Sequence, residues 1–144
     1  MKRKILVAYD GSVLSKEALQ DARLQAAGVP ETEVHVISVV SQSGPSANIT
    51  MARNIQWELA ENLRPELEEI KKEFEADGIT ITTDVIIEDV HRNEGTTICE
   101  YAENHDVDLI IVGSRGLGNV KQVFLGSVSN RVLQQANCPV LIIK

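Results

Sequence analysis

Short apolar runs and longer stretches of helical periodicity alternate along the chain five times. Lys4–Tyr9 is a compact apolar run closing on Asp10-Gly11-Ser12, the pattern of a buried strand followed by a turn. Leu14, Ala18, Ala22 and Ala26 then recur at helical spacing until Gly28-Val29-Pro30 stops them. The β-branched run Glu33–Val40 predicts a second strand. Ser41–Thr50 has the composition of a loop and is expected to serve as a flexible lid. A long helix follows over Ala52–Asp77, with Ile55, Leu59, Leu63, Leu67, Ile70 and Phe74 on its inner face and Glu and Lys outside. Pro65 should bend or divide it. Ile79–Ile87 alternates as a third strand, Thr96–His105 reads as a helix, and Asp108–Val112 as a fourth strand. After the Gly-rich loop Gly113–Gly126 come a helix over Ser127–Asn137 and a last strand, Val140–Lys144.

Strands that alternate with helices belong to a parallel sheet covered on both faces. Five such units, crossing over with one hand, predict strand order 3-2-1-4-5 in a Rossmann-like three-layer α/β sandwich. In that order the chain reverses direction between the first and fourth strands, and ligands bind beyond the carboxyl ends of the strands at such a point. The segments there are Asp10-Gly11-Ser12 and Gly113-Ser114-Arg115-Gly116.

With 144 residues and 43% hydrophobic content, the chain is expected to form a single domain over 1–144 whose core needs no metal or disulfide. Cys99 and Cys138 form no C-x-x-C pair, which fits a reducing compartment. The basic start Met1-Lys2-Arg3-Lys4 is followed by too short an apolar stretch for export, and no run is long enough to span a bilayer. The expectation is a cytoplasmic protein without membrane partners.

Charge sharpens the picture. The net charge of −7 argues against nucleic acid as a partner. All 21 acidic residues lie at or before Asp108, so 1–108 carries −11. Leu109–Lys144 has no carboxylate and carries +4 from Arg115, Lys121, Arg131 and Lys144. Burial would tend to remove both signs of charge, and here one alone is missing, so this segment is suited to an anion.

Within it, Gly113, Gly116 and Gly126 offer either left-handed backbone or close approach of a ligand. Ser127 opens a helix whose free amides, over Ser127, Val128 and Ser129, form a natural phosphate site; a plain N-cap at Ser127 explains the same residues. Asp10 can accept from a ribose or base, help hold a divalent ion, or simply make an Asx-turn with Gly11-Ser12. Neither G-x-x-x-x-G-K-[ST] nor a G-x-G-x-x-G after the first strand is present. His35, His91 and His105 are scattered without triad or metal-ligand spacing, so catalysis beyond slow hydrolysis of a bound polyphosphate has little support.

Gly113-x-x-Gly116, nine residues, then Gly126-Ser127 matches the G-2x-G-9x-G-[ST] pattern of the ATP-binding branch of the universal stress protein family. Ile5–Ser12, Val107–Ser114 and Cys138-Pro139-Val140-Leu141-Ile142-Ile143 resemble that family too, so the likeness spans the chain. The resemblance implies an ATP-binding stress-response protein that acts as a nucleotide-dependent sensor or regulator. It implies Asp10 near the nucleoside, Val39 against the adenine through its backbone, and Val112 and Gly113 lining the base and ribose. Gly116, Gly126, Ser127 and Val128 would bind the phosphates, with Mg2+ or Mn2+ bridging them and Arg115 alongside or merely on the surface. It further implies a homodimer through Val140–Ile143. The loop His91-Arg92-Asn93-Glu94-Gly95 departs from the family's usual Gly-x-Pro.

Three other readings use the same fold. A receiver domain would need paired acids after the first strand, where Asp10 stands alone, and Glu88-Asp89 is a poor substitute for its phosphorylated Asp. A flavodoxin-like carrier would need rings to stack on a flavin, and aromatics make up 3%. A protein-binding stress factor would keep the fold without a nucleotide.

Overall fold

The computed structural model describes residues 2–41, 49–88, 92–115 and 125–144, with backbone alone over 49–54. Five strands form one parallel sheet in the order β3-β2-β1-β4-β5. They are β1 (Arg3–Ala8), β2 (Thr32–Ser41), β3 (Thr80–Glu88), β4 (Leu109–Gly113) and β5 (Val140–Ile143). Between them run α1 (Val13–Gly28), α2 (Ile49–Ala76), α3 (Glu94–Asn104) and α4 (Ser127–Gln135). This is the expected Rossmann-like order, and most boundaries lie within two or three residues of those the sequence predicts.

Central β1 shows why its sequence is an unbroken apolar run. Ile5, Leu6 and Val7 are all fully buried, because successive side chains enter opposite layers. Ile5 and Val7 join Ala18, Leu19 and Ala22 of α1 and Leu67, Ile70 and Phe74 of α2. Leu6 joins Ile98, Cys99, Tyr101 and Ala102 of α3 and Val132 of α4. β1 pairs with β2 from Arg3↔Thr32 to Ala8↔Ile37, and with β4 from Ile5↔Leu109 to Val7↔Ile111. The carboxyl ends of β1, β2 and β4 therefore lie side by side.

One expectation for α2 is narrowed and one is corrected. The helix runs through Pro65 undivided. Pro65 lies on the exposed side, and so does Glu61, whose carbonyl loses its amide partner there, so water can satisfy it. Ile55 and Leu59 do not face inward; they are 55% and 48% exposed, while Gln56 and Ala60 are buried. At roughly 100° per residue, Ile55 stands about 120° and Leu59 about 80° around the helix from Leu67. A run of four-residue steps thus drifts off the face that Leu67, Ile70 and Phe74 define. Gln56 uses its inward position to donate to the Val40 and Glu88 carbonyls, at 2.9 and 2.7 Å, tying together the ends of β2 and β3.

α3 starts at Glu94, two residues before the predicted Thr96, because Asn93 is its N-cap and accepts from the Gly95 amide at 2.7 Å. α4 ends at Gln135 and not at Asn137. Among the described residues, no helix is long and apolar enough to cross a membrane.

Candidate functional site

The carboxyl end of β1 turns sharply into α1. The Asp10 carboxylate accepts from the Ser12 amide at 2.9 Å, closing an Asx-turn across Gly11, whose φ of +85° is left-handed. Ser12 then caps α1, accepting from the Ser15 amide at 3.2 Å. Of the roles open to Asp10, the turn is therefore filled by one oxygen, Oδ1. The same side chain also lines a cavity at the strand ends.

On the neighbouring strand, β4 leads into α4. Ser114 is tied to β5 by its amide, which donates to the Ile143 carbonyl at 2.7 Å. Its own carbonyl accepts from the Gly126 amide at 2.6 Å and from Ser129 Oγ at 3.0 Å. Gly126, not Ser127, is the N-cap of α4, and it offers no side chain to cap the helix. The first backbone bond at that end is Asn130 N to the Gly126 carbonyl, at 3.0 Å. The amides of Ser127, Val128 and Ser129 precede it, and among the described residues no side chain caps them. An end left open in this way carries partial positive charge and suits an anion.

Neither Gly113 nor Gly126 has left-handed backbone. Close approach explains them: a Cβ on Gly113 would stand 2.8 Å from the Leu14 Cβ, and one on Gly126 3.2 Å from the Ser114 carbonyl.

Between the two turns lies a cavity of about 990 Å³, at the upper end of the usual range for small-molecule sites. Asp10, Val39, Val112, Gly113, Arg115, Gly126, Ser127 and Val128 all line it, so eight predicted site residues are brought together. Gly116 lies outside the described residues, as do 42–48 of the expected lid, His91, and Asp89 of the receiver-like pair. Arg115 is exposed and stands at the rim. At the β2 end the walls are apolar, from Ala8, Ile37, Val39 and Ile98.

Asp10 is not the sole acid at this cavity: Glu94 and Glu66 also line it. Ser41 Oγ donates to Glu94 Oε1 at 2.8 Å. Burial pushes the Glu94 carboxyl up, with a smaller push from the Asp10 charge and an opposing pull from the Ser41 bond. The available signal was position: the loop after β3 ends at the same edge of a parallel sheet as those after β1 and β4.

The two described histidines lie elsewhere. Buried His35 places Nδ1 2.8 Å from the Tyr101 hydroxyl. Its Nε2 lies 2.9 Å from Glu33 Oε1 but without hydrogen-bond alignment. The His105 ring stacks on Tyr101 at 3.8 Å. Among the described residues, no group of three His, Cys, Asp or Glu side chains is placed to hold a metal ion.

The comparisons agree with this architecture. A universal stress protein from Methanocaldococcus jannaschii, MJ0531, is 36% identical over 147 aligned residues, covering 99% of this chain and 82% of its own. Bacillus subtilis YxiE, another universal stress protein, is 32% identical over 155 aligned residues and covers both chains completely. Among solved structures, the universal stress protein UspA of Lactobacillus plantarum superimposes with a TM-score of 0.86 at 21% identity, over 99% of this chain and 97% of its own. An Arabidopsis thaliana family member with AMP bound has a TM-score of 0.65 at 21% identity, over 99% and 91%. A universal stress protein in complex with cAMP has a TM-score of 0.62 at 22% identity, over 99% and 96%. The sequence model of the universal stress protein family matches residues 1–144, and with a doubly wound sheet whose strand ends enclose one shared cavity, the chain belongs to that family.

Proposed function

We propose that the protein binds an adenine nucleotide, ATP with Mg2+ or Mn2+ on its phosphates, and acts as a nucleotide-dependent sensor or regulator in the cytoplasm. One observation carries the reading: the uncapped start of α4 opens on the same cavity as the apolar walls around Val39. An apolar slot suits a base, and free helix-terminal amides suit phosphates. The strands order these parts, with β2 at one end, β1 and Asp10 between, and β4 with α4 at the other. That structural neighbours carry AMP and cAMP supports the same ligand class.

The divalent ion fits a limited donor set. With no three-residue cluster among the described residues, it would be held by phosphate oxygens, with Asp10 the carboxylate best placed to assist. Mg2+ commonly binds through one or two carboxylates and substrate phosphates. The ion would neutralise charge on the polyphosphate; this chain's amides would position it.

Mass spectrometry of the protein purified without added nucleotide tests the reading. The expected result is stoichiometric or partial adenine nucleotide. A ligand-free protein that also fails to take up added Mg-ATP overturns it and favours a protein-binding factor of the same fold.

A further inference from the structure

We propose that Glu94, oriented by Ser41, reads the edge of the nucleobase and selects purines that carry a 6-amino group over those with a 6-oxo group. The inference rests on the nucleotide reading above and adds what that reading lacks. The apolar side chains of Ala8, Ile37, Val39 and Ile98 supply area to a base but cannot tell one base from another; beside any backbone contact at Val39, identity is read by a few placed polar groups. β2 and β4 stand two strand spacings apart, about 10 Å, so phosphates at α4 leave the base at the β2 end. Ser41 ends β2, and its hydroxyl reaches Glu94 at 2.8 Å.

An acid in the first turn of a helix often does no more than favour the helix dipole. Glu94 differs in being half-buried and bonded across to another element. Its position is fixed at both sides. Asn93 accepts from the Gly95 amide and donates through Nδ2 to the Ser127 carbonyl at 3.3 Å. Gly95 brings α3 so close to α4 that a Cβ would stand 2.7 Å from the Val128 carbonyl. Ser41 occupies Oε1, and among the described residues Oε2 has no partner.

A carboxylate accepts hydrogen bonds and donates none. The 6-amino group of adenine offers the donor that Oε2 lacks. Opposite position 6, the oxo group of hypoxanthine would set one acceptor against another, and its N1–H would meet Oε2 only if the base shifted along the slot. Glutamine at this position can turn either its carbonyl or its amide to the base, so it should accept both.

The test titrates ATP and ITP, each with Mg2+, into the protein and its Glu94→Gln and Ser41→Ala variants, with thermal melts confirming the fold. The protein itself should prefer ATP by about tenfold or more. Glu94→Gln should cut that ratio to about threefold or less, and Ser41→Ala should lower it partway. Equal affinities in the unaltered protein, or an unchanged ratio in Glu94→Gln, would overturn the assignment while leaving nucleotide binding intact. Failure of both nucleotides to bind removes the nucleotide reading, and this inference with it.

Discussion

Gly95 owes its place to a contact between two helices. A Cβ there would press on the Val128 carbonyl at 2.7 Å and the Arg131 Cβ at 2.8 Å, and neither helix can retreat without loosening its layer. Gly95→Ala should lower stability by about 1–3 kcal/mol in urea unfolding. It should also weaken nucleotide binding, because the carbonyl that must move adjoins the first turn of α4. A second residue-scale prediction concerns His35. Burial holds its imidazole below the ordinary value, partly opposed by the Glu33 carboxylate and reinforced by His105 and Lys4. Burial also pushes the Tyr101 phenol beside it up to about 12, with Asp84 and Glu33 adding to the effect. As pH falls below about 6.5 the unfolded chain takes up a proton that folded His35 resists, so stability falls with pH. Unfolding at pH 7 and pH 5.5 should show a smaller loss in His35→Gln than in the parent; equal losses would assign the pH dependence elsewhere. That His35 lies in a strand was legible in the sequence. Its partnership with Tyr101, 66 residues away, was not, since that contact exists only once α3 packs on the sheet.

At the scale of elements, α4 carries the account. Its N-cap has φ −69° and ψ 166°, angles any residue adopts, so glycine is not required there by backbone strain. Gly126→Asp places a side chain able to cap the helix, offsetting the tight 3.2 Å approach to the Ser114 carbonyl. Its stability should stay within about 1 kcal/mol of the parent by thermal or urea unfolding, while its carboxylate occupies and repels what the open amides would hold. The sequence pattern located this helix start but did not distinguish Ser127 as cap from Ser127 as first helical residue. Cap identity depends on where the Ser114 carbonyl holds Gly126. Similarly, periodicity placed Leu67, Ile70 and Phe74 inward but misplaced Ile55 and Leu59, because Gln56 finds two strand-end carbonyls that no hydrophobic pattern announces.

For the whole molecule, alternation with right-handed crossovers narrowed the sheet order to a few arrangements, and the usual one for five βα units is the one formed. The order in turn brought Asp10, Gly113 and Gly126 to one cavity from distant parts of the chain. What alternation did not reveal is the contribution of the start of α3, where Glu94 enters, because along the sequence an acid in a polar stretch resembles any solvated charge. β5 lies at an edge of the sheet with all four residues only half-buried, which supports pairing with a second copy. Light scattering coupled to size exclusion should give twice the 15.8 kDa chain mass; the single-chain mass would reject the dimer. Ligand saturation should also stabilise the fold, by about 2.7 kcal/mol at a hundred times Kd.

Calorimetric titration of Mg-ATP into the protein, Gly126→Asp and Ser127→Glu tests the central claim most directly. The account predicts one site per chain in the parent and no detectable binding in either variant, both melting as folded proteins. Undiminished affinity in the two variants would contradict it, placing the phosphates somewhere other than the open end of α4.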